Sequence, residues 1–267
     1  MIRPGEIQQK ANALGVRDQQ IEKDYILSWI LFGISKHEQL SKAIVFKGGT
    51  VLKKVYFEDY RFSEDLDFTL QNAEISIEQI FAWFKEVFEF IEDEANIPLV
   101  IIDNNEHEDG GINFYISYIG PLGGQGNNKK VKVDISRNEQ LIFPPALNDV
   151  FISYSDLEEH QLLCYPLEEV LVEKMRSVMQ RMQARDFYDI RYLLEEHEMD
   201  VAFYLVEFEA KCKSKGLLHT DFPKKLDERL PQYKGRWKSS MRDQIKDLPD
   251  FGQVEREAQR HLKKLKL

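Results

Sequence analysis

The sequence predicts an α+β protein in which a sheet-containing body precedes a helical remainder. Three observations carry this. Apolar residues recur at helical spacing over residues 18–36 and 76–94. Between and after those stretches, short apolar runs bounded by Gly, Pro and Asn read as strands. Beyond about residue 158 helical periodicity returns, and no further strand pattern follows.

Residues 4–15 read as a helix with Pro4 in its first turn, where the missing N–H has no partner to lose. Residues 18–36 follow as an amphipathic helix, with Asp18 as cap ahead of Ile21, Tyr25, Leu27, Ile30 and Leu31. A short strand over 43–46 is broken by Lys47-Gly48-Gly49-Thr50, and 51–56 reads as a short helix. A second strand, 66–70, comes directly after Arg61-Phe62-Ser63-Glu64-Asp65. The helix 76–94 puts Ile77, Ile80, Phe81, Phe84, Val87, Phe88 and Ile91 on one face. Next come a strand at 99–102 and two more at 112–119 and 129–136. The latter two flank Gly120-Pro121-Leu122-Gly123-Gly124-Gln125-Gly126-Asn127, which reads as the long turn of a hairpin. A strand at 150–154 leads into helices at 167–183, 186–196 and 200–215. The expected division is a body over 1–157 and a helical domain over 158–267.

Composition narrows the classes. Hydrophobic residues make up 43% and aromatics 12%, enough for a core, which excludes general disorder. The net charge of −10 hides an asymmetry: residues 211–267 hold 16 Lys and Arg against 8 Asp and Glu. That basic tail suits a polyanion, or it simply compensates an acidic body. Tyr233 and Trp237 lie among its cations, a combination compatible with stacking on RNA bases. The two cysteines, Cys164 and Cys212, exclude a disulfide framework and a cysteine zinc site. No apolar stretch is long enough to span a membrane, and the N-terminus lacks the apolar core of a secretory leader. A cytoplasmic location is expected.

Candidate chemistry gathers in two places. Phe46-Lys47-Gly48-Gly49-Thr50-Val51-Leu52-Lys53 sets two glycines between a strand and a helix. This is either a tight turn with a Thr cap or a loop that admits a phosphate. In Asp65-Leu66-Asp67 the carboxylates at i and i+2 project to one side of a strand, with Leu66 and Phe68 on the other. Such a pair is solvated or shares a cation, and an all-oxygen set suits Mg²⁺. Asp134 lies with Lys132 on one face of Val131-Lys132-Val133-Asp134-Ile135. It is either an exposed strand residue or the third carboxylate that two-metal phosphoryl transfer needs. Lys174 and Asp189 stand 15 positions apart, roughly 22 Å along one helix. If both act, the chain turns between them near Ala184-Arg185, with Asp186 as the cap of the next helix. Glu22-Lys23-Asp24 reads as a salt-bridged structural corner.

These residues resemble a known family. Gly48-Gly49-Thr50 through Asp65-Leu66-Asp67 is similar to the glycine-loop and paired-Asp signature of the DNA polymerase β-like nucleotidyltransferases. The wider run resembles the AbiEii/AbiGii abortive-infection toxins within that superfamily. It comprises Ile21-Glu22-Lys23-Asp24-Tyr25, Phe46-Lys47-Gly48-Gly49-Thr50-Val51-Leu52, Arg61-Phe62-Ser63-Glu64-Asp65-Leu66-Asp67, Glu169-Val170-Leu171-Val172-Glu173-Lys174-Met175 and Arg185-Asp186-Phe187-Tyr188-Asp189-Ile190. The resemblance implies a nucleotidyltransferase core, a mixed β-sheet flanked by helices, followed by a helical domain. It implies an NTP substrate, Mg²⁺, transfer to RNA with tRNA acceptor ends foremost, and restraint by an antitoxin. By the family's pattern Asp65 and Asp67 hold metal, Lys174 reaches the triphosphate and Asp189 completes the site. Gly48, Gly49, Thr50 and Ser63 join Lys174 as nucleotide contacts. Asp134 matches the third metal carboxylate by strand context only. Where many superfamily members have Gly-Ser, this chain has Gly-Gly-Thr, so the serine's role transfers directly to neither Gly49 nor Thr50. A protein or small-molecule acceptor, or a catalytically idle nucleotide-binding module, remains the alternative.

Overall fold

The computed structural model describes residues 1–107, 110–124, 126 and 129–267. Gln125 and Asn127 of the expected long turn lie outside the described residues. The chain divides into two compact units, Met1–Glu139 with Pro145–Cys164, and Gln140–Pro144 with Tyr165–Leu267.

The first unit opens with helices α1 (Pro4–Leu14), α2 (Asp18–Lys36) and α3 (Glu38–Ala43). Strand β1 (Ile44–Lys47) runs into the four-residue α4 (Gly48–Val51), which continues as a π-helical turn over Leu52–Tyr56. Then follow β2 (Asp65–Leu70), α5 (Ile77–Ala95), β3 (Leu99–Glu106), β4 (Ile112–Tyr118), β5 (Lys130–Ser136), β6 (Ala146–Asp149) and β7 (Gln161–Cys164). The strands make one mixed sheet in the order β3-β4-β5-β2-β1-β7-β6. The expected hairpin is present, β4 pairing antiparallel with β5. β2 lies between β1, antiparallel, and β5, parallel.

Alternation decides the two faces of the central strands. Leu66, Phe68, Val133, Ile135 and Phe114 are buried, while Asp65, Asp67, Lys132 and Asp134 are only half-buried. Helix α5 lies over the apolar face; its Phe81 and Phe84 meet Phe114 edge-on with ring centres 5.3 and 5.0 Å apart. α5 also packs on α2, at a contact only glycine allows. A Cβ on Gly33 would fall 2.9 Å from side-chain atoms of both Val87 and Ile91.

Helix α2 departs from the expected amphipathic pattern, because it is buried around most of its circumference. Its Glu22, Lys23 and Asp24 are met by groups brought from far along the sequence. The Glu22 carboxylate accepts from the Leu122 N–H at 2.8 Å and from the Lys129 ammonium. Lys54 Nζ lies 2.7 Å from the Asp24 carboxylate, which also accepts from the Tyr154 hydroxyl at 2.8 Å. Lys23 pairs with Glu64 at 3.0 Å. The triplet Glu22-Lys23-Asp24 is thus a salt-bridged corner. Asp18 is not the cap: Arg17 holds that position, and Asp18 is the first helical residue. There its charge complements the positive end of the helix dipole. The strand expected at 150–154 is absent as well. The sheet instead takes β6 before it and β7 after it, while the Phe151 N–H donates to the Lys54 carbonyl at 2.8 Å.

The second unit is helical: α6 (Leu167–Gln180), α7 (Ala184–Glu195), α8 (Leu205–Lys213), α9 (Phe222–Met241) and α10 (Phe251–Leu262). The segment Gln140–Pro144 belongs to it because Glu169, fully buried, accepts from the Ile142 and Phe143 N–H groups at 2.9 and 2.8 Å. The same carboxylate accepts from Lys211 at 2.7 Å, so this lysine is buried and is not part of a basic surface. Tyr233 and Trp237 are likewise buried. Tyr233 stacks on Phe187 with centres 5.8 Å apart, and the Trp237 indole N–H donates to the Pro249 carbonyl. They are core residues and cannot stack on bases, contrary to the expectation from their charged neighbours.

Candidate functional site

The site-bearing part of the first unit is the polar face of β2 and β5 with the loop after β1. Register assembles it. Asp67 lies opposite Asp134 on one side and opposite Lys47 on the other, and Asp65 lies opposite Lys132. Side chains paired across neighbouring strands point to the same face. The sheet therefore brings Asp65, Asp67 and Asp134 together on one surface, three carboxylates from two adjacent strands.

Gly48 is part of that geometry. Its φ of 80° is a left-handed backbone that L side chains rarely adopt. A Cβ there would fall on the Asp67 carboxylate. The glycine is needed for close approach between the loop and Asp67. The Thr50 hydroxyl donates to the Asp65 carbonyl at 2.5 Å and so ties the loop to the start of β2. Lys47, nearly buried, donates to the Ser136 hydroxyl at 3.0 Å. Ser63 and Arg61 are buried just ahead of β2. We expect Gly48→Ala to lower stability by about 1–3 kcal/mol, from the strained backbone and the displaced carboxylate. Denaturant titration would check this, and a midpoint equal to that of the parent would refute it.

Lys132 joins Lys47 as a cation of this surface. Its ammonium donates to the Asp134 carboxylate at 3.1 Å, and His107 lies 3.9 Å from the same carboxylate. Burial pulls the Lys132 amine down. The charge of Asp134, its hydrogen bond, and the charges of Asp65 and Asp67 together outweigh that and hold the amine above its ordinary value. Asp134 is the aspartate that bonds this nitrogen directly. The sequence reading placed Lys132 beside Asp134 but gave it no part. Its i, i+2 spacing was visible, whereas its relation to β2 needed the register.

The residues fit a hard divalent cation in donor chemistry: oxygen-only, half-buried and open to water and substrate ligands. Among the described residues no group of three or more His, Cys, Asp or Glu side chains is already gathered closely enough to hold a metal ion. Asp134 is turned toward Lys132.

The second unit brings Lys174 and Asp189 together. α6 stops at Gln180 and α7 starts at Ala184, so the turn expected between them is there. Lys174 Nζ lies 2.8 Å from Asp189 and 2.7 Å from Asp186. Asp186 is not a cap. It lies in the first turn of α7, buried, and receives Arg181 at 2.7 Å as well. Burial alone would raise its carboxyl; Lys174 and Arg181 outweigh this and hold it below the usual value. The sequence reading missed this buried cluster because it placed Asp186 at the helix boundary.

Comparisons with known proteins bear on the family and the fold. Residues 29–262 match the family model described as the nucleotidyl transferase AbiEii toxin, type IV toxin–antitoxin system. The chain superposes on MenT4, a nucleotidyltransferase toxin from Mycobacterium tuberculosis, with a TM-score of 0.71 and 17% identity over 100% of this chain and 91% of that one. It also superposes on JHP933 from Helicobacter pylori, with a TM-score of 0.57 and 18% identity over 94% of each chain. At these identities the structural likeness is one of fold. No curated protein sequence matches the chain. No helix among the described residues is long and apolar enough to cross a membrane.

Proposed function

The chain belongs to the AbiEii nucleotidyl transferase toxin family of type IV toxin–antitoxin systems, and from that premise we propose a Mg²⁺-dependent transfer of nucleotides from an NTP to RNA, with tRNA as the acceptor. The observation that carries the reading is the placement of Asp65, Asp67 and Asp134 on one sheet face beside a glycine loop.

Asp65 and Asp67 hold the metal, with Asp134 as the third carboxylate. A bound Mg²⁺ there would draw charge from the triphosphate and lower the pKa of the attacking hydroxyl. Gly48 and Gly49 keep side chains away from the phosphates, Ser63 offers a hydroxyl just ahead of β2, and Thr50, whose own hydroxyl is given to the Asp65 carbonyl, ties the loop to that strand. Within the second unit Lys174 is held by Asp186 and Asp189, and its proposed part toward the triphosphate requires release from that cluster. An antitoxin of the same system is the expected protein partner. Lys224, Lys234, Arg236, Lys238, Arg242 and Lys246 are exposed on and after α9, which supports a polyanionic acceptor.

The test is transfer from each labelled NTP into purified tRNA, bulk protein or a small-molecule acceptor such as an aminoglycoside. Label in tRNA, dependent on Mg²⁺, is expected. Label confined to protein or to the small molecule would overturn the RNA assignment, and no label in any acceptor would overturn the enzyme reading for this chain.

A further inference from the structure

Lys132 stands on the acidic face as a fixed counter-cation. Its amine bonds Asp134 at 3.1 Å, its strand position is opposite Asp65, and Asp134 is opposite Asp67. An ammonium and a divalent cation compete for the same carboxylate oxygens, since both are drawn by the same charge. We propose that Lys132 is a positioning residue that occupies Asp134 and holds down the affinity of the nucleotide-free site for divalent cations, so that metal enters together with the triphosphate. This inference rests on the metal-site reading above.

The physical argument is one of charge. Three carboxylates gathered on one face repel one another and would capture a cation from solution. The Lys132 ammonium, with Lys47 opposite Asp67, offsets part of that charge, and the Lys132 bond turns Asp134 toward β5 itself. An incoming Mg–NTP complex carries its own phosphate oxygens, so it can be held by Asp65 and Asp67 without first dislodging Lys132. The triphosphate, being anionic, also has a use for the ammonium once Asp134 releases it. A free aquo-cation gains neither advantage.

Calorimetric titration of the whole protein with MnCl₂ in the absence of nucleotide tests this. The proteins are the wild type, Lys132→Met and Lys132→Arg, each with and without Asp67→Asn. Methionine keeps the aliphatic stem, and arginine keeps the charge. Lys132→Met is expected to bind Mn²⁺ about ten- to a hundredfold more tightly than the wild type, as expected for removal of a nearby unit charge. Lys132→Arg is expected to stay near the wild type, and Asp67→Asn to abolish the gain. A lysine that merely supported the fold would give weaker binding when removed, not tighter. If Asp67-dependent binding is present but Lys132→Met binds no more tightly, the inference is wrong and the metal-site reading stands. If no variant shows binding that depends on Asp67, both fall.

Discussion

Replacing Asp67 by Asn is expected to cut nucleotide transfer roughly a thousandfold while leaving the fold intact, because the change removes a charge worth several kcal/mol to metal-assisted catalysis but keeps the shape. Asp67 is half-buried, opposite Asp134 and in close approach to Gly48. Asparagine fills the same space against that glycine. It also relieves repulsion within the acidic face, so no loss of stability is expected. Initial rates of labelled NTP incorporation measure the first effect and thermal melting the second. A variant that kept full transfer would remove Asp67 from the chemistry and favour a nucleotide-sensing module. The companion change Asp134→Asn tests the proposed third carboxylate. A loss as large as that of Asp67→Asn would assign the third carboxylate to β5, whereas a mild effect would remove Asp134 from the chemistry.

Lys174→Ala is expected to destabilise the second unit by about 3–5 kcal/mol, the cost of breaking a buried ion pair by removing one partner. Its ammonium is shared by Asp186 and Asp189, and all three residues are less than 6% exposed. Losing that nitrogen leaves two carboxylates at close quarters in a dry place. A fall in the melting midpoint of about 10 °C or more is expected. A fall of a degree or two would show that the cluster relaxes or admits water. Activity separates the structural role from the proposed catalytic one. At a temperature where the variant is still folded, transfer should be lost far beyond the folded fraction. Transfer that simply tracks the folded fraction would make Lys174 a structural residue alone.

Much of this molecule was legible because backbone periodicity is local. A strand turns every second residue to the same side, so Asp65 with Asp67, and Lys132 with Asp134, were readable as pairs before any fold was known. The same rule was available for the basic tail and was overruled there by charge. Leu226, Leu230, Tyr233, Trp237 and Met241 recur at three and four positions, a buried helical stripe, and all five are in the core. Lysines and arginines occupy the positions between them, on the solvent side of the same helix. Asp186 shows a different kind of miss, since a boundary wrong by two or three residues turned a buried ion-pair partner into a cap.

By itself the sequence determined the family, the alternation that sorts each strand into a wet and a dry side, and the need for a turn between Lys174 and Asp189. Only the tertiary structure decided that Asp67 lies opposite Asp134, that Lys132 lies opposite Asp65, and that Glu169 ties Gln140–Pro144 to the helical unit. The physical reason is that strand order, register and buried ion pairing are set by contacts between residues tens of positions apart. The free energy of those contacts depends on everything packed around them, and no local pattern encodes it.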